Sequence, residues 1–247
     1  MINKDAISHI QETAIKPKER IIFESNDHYF IDNNGYANLL PRREEELAQE
    51  PLILHTLSGL ISYIKSKSDR GVESLFLQVV DEKKVTLKGK LNVDGNRETL
   101  ATVKAIIPNF NFNTFYDSES LNIALQAIFL NSEDREILLK VVGNIVEEKT
   151  KTIGDDGVSQ SVIVKNGTTS RAEVKVPNPV ALTPYRTFIE VEQPQSKFIF
   201  RMKDGGSGAI FEADGGAWRN VAIANVAGFL EEELKKEIED KRITILA

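Results

Sequence analysis

The sequence contains no cysteine, and its three histidines, His9, His28 and His55, all lie in the first quarter of the chain. Disulfides, thiol nucleophiles and zinc–thiolate sites are therefore excluded. A site that needs two histidines would have to be assembled by the fold, because these three share no local spacing. We predict neither a metal site nor a cofactor.

Long apolar runs are also missing. No window holds the roughly 18 uninterrupted apolar residues of a membrane-spanning helix. The N-terminal segment MINKDAISHIQETAIKPKER lacks the apolar stretch of a signal peptide. We therefore predict a cytoplasmic protein without a membrane partner.

An excess of basic residues is absent as well. The chain has 31 Lys and Arg against 37 Asp and Glu, which gives a formal net charge of -6. This balance argues against a surface built mainly to neutralise duplex DNA, although a local basic face is compatible with an acidic protein.

Recognisable catalytic motifs are lacking. The sequence has no G-x-S-x-G elbow, no H-E-x-x-H helix and no Walker element. Glu190 and Glu192 fall on a predicted strand, where outward charges explain them better than a divalent-ion site does. We predict no catalytic residues. A hydrolase would need a pocket with convergent carboxylates and a metal.

The chain does contain enough apolar sequence for an ordinary globular core, with 41% hydrophobic and 28% charged residues. We predict an N-terminal appendage over residues 1–50, with a helix at 5–13 and strands at 20–24 and 28–32. The main domain then covers residues 51–247.

The main domain is predicted to begin with a helix and an antiparallel meander. Thr56 is suited to cap a helix over 57–64, where apolar residues recur at spacings of three and four. Strands at 75–80, 84–93 and 100–107 follow, and the second of them alternates apolar with polar residues.

The rest of the main domain is predicted as two helices, a polar hairpin, further strands and a last helix. Asp117 or Ser118 caps the first helix and Ser132 caps the second. Glycine- and proline-rich turns separate the later strands. The hairpin covers about 149–171, the strands 172–176, 186–192, 197–203 and 209–213, the last helix about 218–241, and a short strand 243–246.

Together these elements predict an α+β fold with antiparallel sheet meanders, helices on one face and a long C-terminal amphipathic helix. That helix is long enough to join two subunits, so we expect a homo-oligomer.

Lysines supply the first group of candidate contact residues. Lys84, Lys88 and Lys90 alternate with the apolar residues of their strand and should form one positive face. This pattern is typical of a surface that tracks phosphates, and also of lysines that protect a sheet from aggregation.

Aromatic residues supply the second group. The segment 108–116 interleaves aromatic rings with amides, so that Phe110, Phe112 and Tyr116 are candidates to stack on bases. Alternating phenylalanines without neighbouring Lys or Arg also suit a half-buried strand, and core packing is the favoured interpretation.

Glycines supply the third group. Gly205, Gly206 and Gly208 are candidates to bring backbone N–H groups close to an anion. A strand rather than a helix is predicted to follow, and the Lys-Ser/Thr pair of a P-loop is missing, so a plain hairpin turn is favoured.

Three segments together resemble the prophage YfdQ-like family. They are 54–64 (LHTLSGLISYI), 183–188 (TPYRTF) and 229–234 (FLEEEL), in this order around the two central helices and the polar hairpin. The resemblance spans roughly residues 50–240. It implies a protein of a bacteriophage or prophage that works in the cytoplasm of an infected bacterium, and it carries over no catalytic residue.

On this resemblance, the leading hypothesis is a non-enzymatic binding protein that counters a host defence component or its nucleotide signal. The alternative is a homo-oligomeric factor that handles single-stranded DNA in phage annealing and recombination. In that case the lysines would track phosphates and the aromatic residues would stack on bases.

Overall fold

A computed structural model of the protein describes residues 4–14, 20–24, 27–32, 34–40, 47–69, 74–92, 95–143, 154–155, 160–166, 170–203 and 206–247. The chain divides into two units, Met1–Leu47 and Ala48–Ala247. Each unit is described by itself.

The first unit contains one helix and a small antiparallel sheet. The predicted helix and both predicted strands are present, and a third strand follows them. Its strands pair in the order β1-β2-β3. The elements are α1 (Lys4–Thr13), β1 (Ile21–Glu24), β2 (Asp27–Ile31) and β3 (Ala37–Leu39).

The second unit mixes helices with mainly antiparallel sheets, which confirms the α+β class. Its elements are, in chain order, β4 (Leu52–Leu54), α2 (Leu57–Ser66), β5 (Leu75–Asp81), β6 (Lys84–Leu91), β7 (Arg97–Lys104), α3 (Ser118–Ile128), α4 (Glu133–Gly143), β8 (Gly154–Asp155), β9 (Gln160–Asn166), β10 (Ser170–Lys175), β11 (Val180–Leu182), β12 (Ser196–Met202), β13 (Gly208–Glu212), α5 (Trp218–Glu233), α6 (Lys235–Glu239) and β14 (Ile243–Leu246).

The predicted meander forms the middle of a five-stranded sheet in the order β14-β5-β6-β7-β4. Strands β5, β6 and β7 pair antiparallel, whereas the short edge strands β4 and β14 pair parallel to β7 and β5. The two edges bring together segments that are far apart in the sequence. One edge strand, β4, comes from the beginning of the second unit, and the other, β14, comes from its end.

One face of this sheet forms the first core. Helix α2 begins after Thr56, whose side-chain oxygen accepts a hydrogen bond of 3.1 Å from the Gly59 amide, as predicted. The apolar stripe of α2 is fully or almost fully buried, together with the inward side chains of the sheet and of α5. Central members of this core are Leu57, Leu60, Leu77, Leu87, Val103, Val226 and Leu230.

The second core lies between α3, α4 and the three-stranded sheet β11-β12-β13. Asp117 caps α3 by accepting a hydrogen bond of 2.8 Å from the Ser120 amide. Hydrogen bonds from Ser120 lower the pKa of the Asp117 carboxyl, so this cap weakens as the pH falls. Phe198, Phe200 and Met202 share the buried face of β12, as their alternation predicts.

The polar hairpin is formed by β9 and β10, which pair antiparallel, with β8 added beside β9. The residues at its tip, 167–169, lie outside the described residues. Strand β9 lies within the predicted hairpin, but its partner β10 contains most of the segment that was predicted as a separate strand at 172–176.

The predicted strand at 186–192 is wrong. This segment forms turns that are held by one side chain, that of Gln193. Its carbonyl oxygen accepts hydrogen bonds from the amides of Arg186 and Thr187, and its nitrogen donates to the carbonyls of Phe188 and Val191. The buried amide side chain thus satisfies the backbone groups that a neighbouring strand would otherwise pair.

The last helix is also shorter than predicted. Helix α5 ends at Glu233, and the separate helix α6 follows Leu234, which leaves the helical conformation. The apolar stripe of α5, including Val226, Ala227 and Leu230, is buried in the first core together with Leu234. This stripe is therefore not available to join two subunits, and self-association, which stays a prediction, would need another surface.

Glu190 links the turn segment 186–192 to α2 through hydrogen bonds. Its carboxylate accepts hydrogen bonds of 2.8 Å from the amides of Leu57 and Ser58, and one of 2.6 Å from the Ser58 hydroxyl. The acid therefore stabilises the positive end of the helix dipole. The prediction of Glu190 as an outward strand charge is wrong for this reason.

Replacing Glu190 with Gln should lower the free energy of unfolding by about 1–2 kcal/mol, because the amide has one acceptor oxygen and no charge. Glu192→Gln is the matched control, since the Glu192 side chain is exposed. Urea unfolding followed by circular dichroism measures both. Equal stability of the two variants would contradict the conclusion that the Glu190 carboxylate stabilises the first turn of α2.

Candidate binding surface

The face of the five-stranded sheet opposite α2 and α5 carries the predicted lysines. Lys84 is paired across the sheet with Lys104, and Lys88 is paired with Phe76. Paired residues of neighbouring strands point to the same side, so these four side chains share one face with Thr86. We call this set, Phe76, Lys84, Thr86, Lys88 and Lys104, the basic sheet face.

The cations of this face have an acidic neighbour in Asp81, the cross-strand partner of Lys84, whose carboxylate accepts a hydrogen bond from the Lys83 amide. Within the described ranges, Lys84, Lys88 and Lys104 form no ion pair with any carboxylate. Lys84 and Lys88 are half-buried and Lys104 is exposed, so the aliphatic stems lie along the sheet while the ammonium groups reach solvent. The face therefore offers positive charge to an anionic ligand.

The centre of the face is polar and closely packed. Thr86 lies between Gln78 and Thr102 in the strand register. Both threonines are buried, and the Thr86 hydroxyl has no hydrogen-bond partner among the described residues. Farther out, the exposed Ile53 lies opposite Thr102 in the register. The face thus combines polar, apolar and cationic groups.

Arg97 adds a cation that the sequence pattern did not predict. Its guanidinium carbon lies 4.6 Å from the centroid of the Phe76 ring, and Nη1 donates a hydrogen bond of 2.8 Å to the Gly89 carbonyl. The contact with Phe76 brings Arg97 onto the basic sheet face. Lys90 is exposed on β6, but a register shift between Lys88 and Leu91 separates it from the regular part of the face.

The predicted aromatic residues lie elsewhere, against the second core. Phe110 stacks on Tyr116 at 5.2 Å between ring centroids, and Phe112 stacks on Phe198 at 5.3 Å. Each ring is half-buried and already has an aromatic partner. This arrangement agrees with the core-packing interpretation, and it does not bring these rings together with the lysines.

The glycine segment forms the turn between β12 and β13. The Lys203 amide donates to the Ser207 carbonyl, and Gly206 adopts a positive φ of 80°. The Gly208 amide is occupied, because it donates a hydrogen bond of 2.9 Å to the Tyr116 carbonyl. Gly205 lies outside the described residues. The described part of this segment is therefore the favoured hairpin turn.

Gly208 has a packing role. A Cβ atom at this position would lie 2.6 Å from Leu121 Cδ2 and 2.9 Å from Met202 Sδ, closer than such atoms approach. Helix α3 therefore approaches β13 closely only because residue 208 has no side chain.

Gly208→Ala should lower the free energy of unfolding by about 1–3 kcal/mol, because the second core would have to shift around the new methyl group. Gly228→Ala is the matched control. A Cβ at Gly228, in the middle of α5, would have no atom within 4 Å outside the helix backbone. The free energy of unfolding of this variant should therefore rise by about 0.5–1 kcal/mol. Chemical denaturation of both variants tests the pair, and a neutral Gly208→Ala would refute the packing role.

A second cationic centre, around Arg186, lies between the two cores. The Arg186 side chain is only 5% exposed. Its Nη1 donates to Glu212 Oε1 at 3.1 Å, and its Nη2 donates to the Ser196 hydroxyl. Its guanidinium carbon lies 3.8 Å from the centroid of the Trp218 ring. Sequence reasoning missed this centre because its members come from four distant segments.

Burial lowers the pKa of Arg186 to about 10, and the nearby Glu212 and Asp214 partly oppose this shift. The side chain is therefore a cation at neutral pH. Its Nε and the Trp218 Nε1 have no hydrogen-bond partner among the described residues. The contacts of Arg186 join its own turn segment to the second core and to the start of α5, which is a structural arrangement rather than a ligand site.

A double-mutant cycle with Arg186→Met and Glu212→Gln should give a coupling free energy of about 1–3 kcal/mol, because the pair is desolvated. The matched control is the exposed pair of Lys65 and Glu233, whose atoms lie 3.6 Å apart and whose side chains are 45% and 46% exposed. Lys65→Met with Glu233→Gln should couple by about 0.5 kcal/mol or less. Equal couplings in the two cycles would refute the anchoring role of Arg186.

Among the described side chains, no three His, Asp or Glu residues gather in an arrangement that could hold a metal ion. None of the described helices has both the length and the apolar character required to cross a bilayer. The most distinctive feature that faces solvent is thus the basic sheet face with Arg97.

Comparison with protein-family models, with curated proteins and with solved structures gives no match for this chain. The resemblance to the prophage YfdQ-like family therefore stays a prediction from the sequence.

Proposed function

We propose that this protein is a non-enzymatic binding protein whose basic sheet face captures a phosphate-bearing nucleotide. On the resemblance to the prophage family, the protein is encoded by a bacteriophage or prophage and acts in the cytoplasm of the infected bacterium. Its ligand is then the nucleotide signal of a host defence system, which it removes by binding. One observation carries the proposal: Lys84, Lys88 and Lys104 share a sheet face and form no ion pair in the described ranges.

Charge is the first argument for a phosphate-bearing ligand. The whole chain has a net charge of -6, so a group of unneutralised lysines is a local exception. Lys88 lies four residue steps along the strand from Lys84, a distance of about 13 Å, and Lys104 lies beside Lys84. Cations at this spacing can contact more than one phosphate of the same ligand.

The composition of the face is the second argument. It supplies charge, polar groups and an arginine that is held against an aromatic ring, and these are the groups that bind phosphates and bases. It does not supply a pair of groups placed to transfer a proton. The proposed action is therefore stoichiometric, with affinity rather than turnover as its basis.

Single-stranded DNA is the second candidate ligand, because the lysines follow one strand of the sheet and so form a track. In this case the protein would serve phage annealing or recombination as a homo-oligomer. Phe110, Phe112 and Tyr116 would not be its stacking residues, since their rings pack against one another and the second core. A protein component of host defence, bound on the same face, is the outcome expected if no nucleotide binds.

Titrations with two labelled probes test the proposal: a cyclic dinucleotide and an oligothymidylate of about 20 nucleotides, each at about 50 and 200 mM salt. The variant K84A/K88A/K104A should lose tenfold or more in affinity. The control K197A/K235A/K236A removes the same charge from exposed lysines of β12 and α6 and should bind normally.

The two probes separate the candidate ligands. Binding of the dinucleotide alone supports capture of a signal. Tight oligothymidylate binding that weakens steeply with salt supports the DNA-handling role, with a slope that falls by about 1 for each phosphate contact removed. Absence of binding to either probe, or equal losses in both triple variants, would refute a nucleotide site on this face.

A further inference from the structure

Arg97 differs from the lysines of the basic sheet face in how firmly it is oriented. One side of its guanidinium lies on the Phe76 ring, with 4.6 Å between the guanidinium carbon and the ring centroid. The Nη1 atom is fixed by its hydrogen bond of 2.8 Å to the Gly89 carbonyl. These two contacts hold the side chain in place, although Arg97 itself is exposed. The outer side of the planar group therefore faces solvent.

We infer that the outer side of the Arg97 guanidinium is the position where a nucleobase stacks, while the lysines of the basic sheet face bind the attached phosphates. This inference rests on the proposed function and defines its ligand more closely. It requires a ligand that carries a base as well as a phosphate, and it excludes inorganic phosphate as an adequate substitute.

The geometry allows a base to stack at Arg97. One of the five N–H groups of the guanidinium is used by the Gly89 carbonyl. The outer flat side is left, and arginine planes stack well on nucleobases. Because the ring and the carbonyl already orient the side chain, little rotamer entropy is lost when a base binds.

The register places a phosphate-binding group next to this stacking position. Lys88 is the cross-strand partner of Phe76, so its ammonium group lies on the same face as the Arg97 guanidinium. Lys84 and Lys104 lie farther along the strands. A nucleotide can thus place its base on Arg97 and direct its phosphates towards the lysines, in one continuous contact.

The experiment uses the full chain and an oligonucleotide in which one base is 2-aminopurine, whose fluorescence is quenched when the base stacks. The dinucleotide of the previous titration, carrying the same fluorescent base, is the second probe. Arg97→Ala should weaken binding about tenfold, in the range known for lost stacking, and should abolish the additional quenching. Arg97→Lys keeps the charge, so it should retain the salt dependence but lose the quenching.

Arg97→Gln keeps a planar group without the charge, so it should retain part of the quenching and leave the salt slope nearly unchanged, because the lysines make the phosphate contacts. The matched control is Arg219→Ala. Arg219 is also exposed and lies over an aromatic ring, 4.8 Å from the centroid of Trp218, but it belongs to α5. This control should bind and quench like the unaltered protein.

The outcomes distinguish this inference from the proposed function. If the unaltered protein binds neither probe, both fail. If it binds in a manner that depends on the lysines, but Arg97→Lys quenches as strongly as the unaltered protein, the stacking position is refuted and the nucleotide site remains. Thermal unfolding of each variant shows whether a loss reflects misfolding, and in that case Arg97→Gln and Arg97→Lys still decide the question by comparison.

Discussion

The buried guanidinium of Arg186 is the interaction on which the arrangement of the second unit depends. It donates hydrogen bonds to Glu212 and Ser196 on the strands of the second core and stacks on Trp218 at the start of α5. Two residues later, Phe188 is buried in the first core. A buried cation tolerates few positions, because it must keep its hydrogen bonds and its counter-charge. Arg186 therefore sets where the two cores meet.

The turn segment that follows Arg186 forms hydrogen bonds with the five-stranded sheet and with α2. Thr187 donates a hydrogen bond to the Glu82 carbonyl, at the turn between β5 and β6. Glu190 holds the first turn of α2, and Gln193 fixes the shape of the segment itself. The covered side of the sheet is thus fixed by one short segment. The opposite side, with its lysines, is left for contacts outside the described fold.

Local patterns predicted the parts of this fold whose causes are local. The cap at Thr56 and the alternation in β6 are examples, because a helix cap and a strand period involve only neighbouring residues. The segment 189–192 alternates in the same way, yet it forms turns, because the side chain of Gln193 satisfies the backbone groups around it. A period of two therefore does not show that a segment has a strand partner.

The candidate site also combines residues that a local pattern predicts with residues that only distant pairing brings together. Lys84 and Lys88 were predicted to share a face because they lie on one strand. Lys104 and Arg97 join them only through the register between β6 and β7 and through the Phe76 contact, which no local pattern contains. The short parallel strand β4 was missed for the same reason, since three residues show no period and their partner is distant. A strand was predicted at 243–246, where β14 lies, but its parallel pairing with β5 was not. Pairing between distant segments is the information that the sequence pattern lacks.

The acids near the sheet explain why its cations remain available in an acidic protein. Asp81 accepts the Lys83 amide, Glu82 pairs with Lys83 and Arg219, and Glu98 accepts the Ala48 amide. Each of these carboxylates is already engaged in holding a turn or a neighbouring segment. An acid released from such a contact would leave a buried or half-buried donor unsatisfied, at a cost of about 1–3 kcal/mol. An exposed ion pair with a lysine stabilises the fold by less than that. These carboxylates therefore keep their existing contacts, and the lysines of the basic sheet face stay positively charged and accessible.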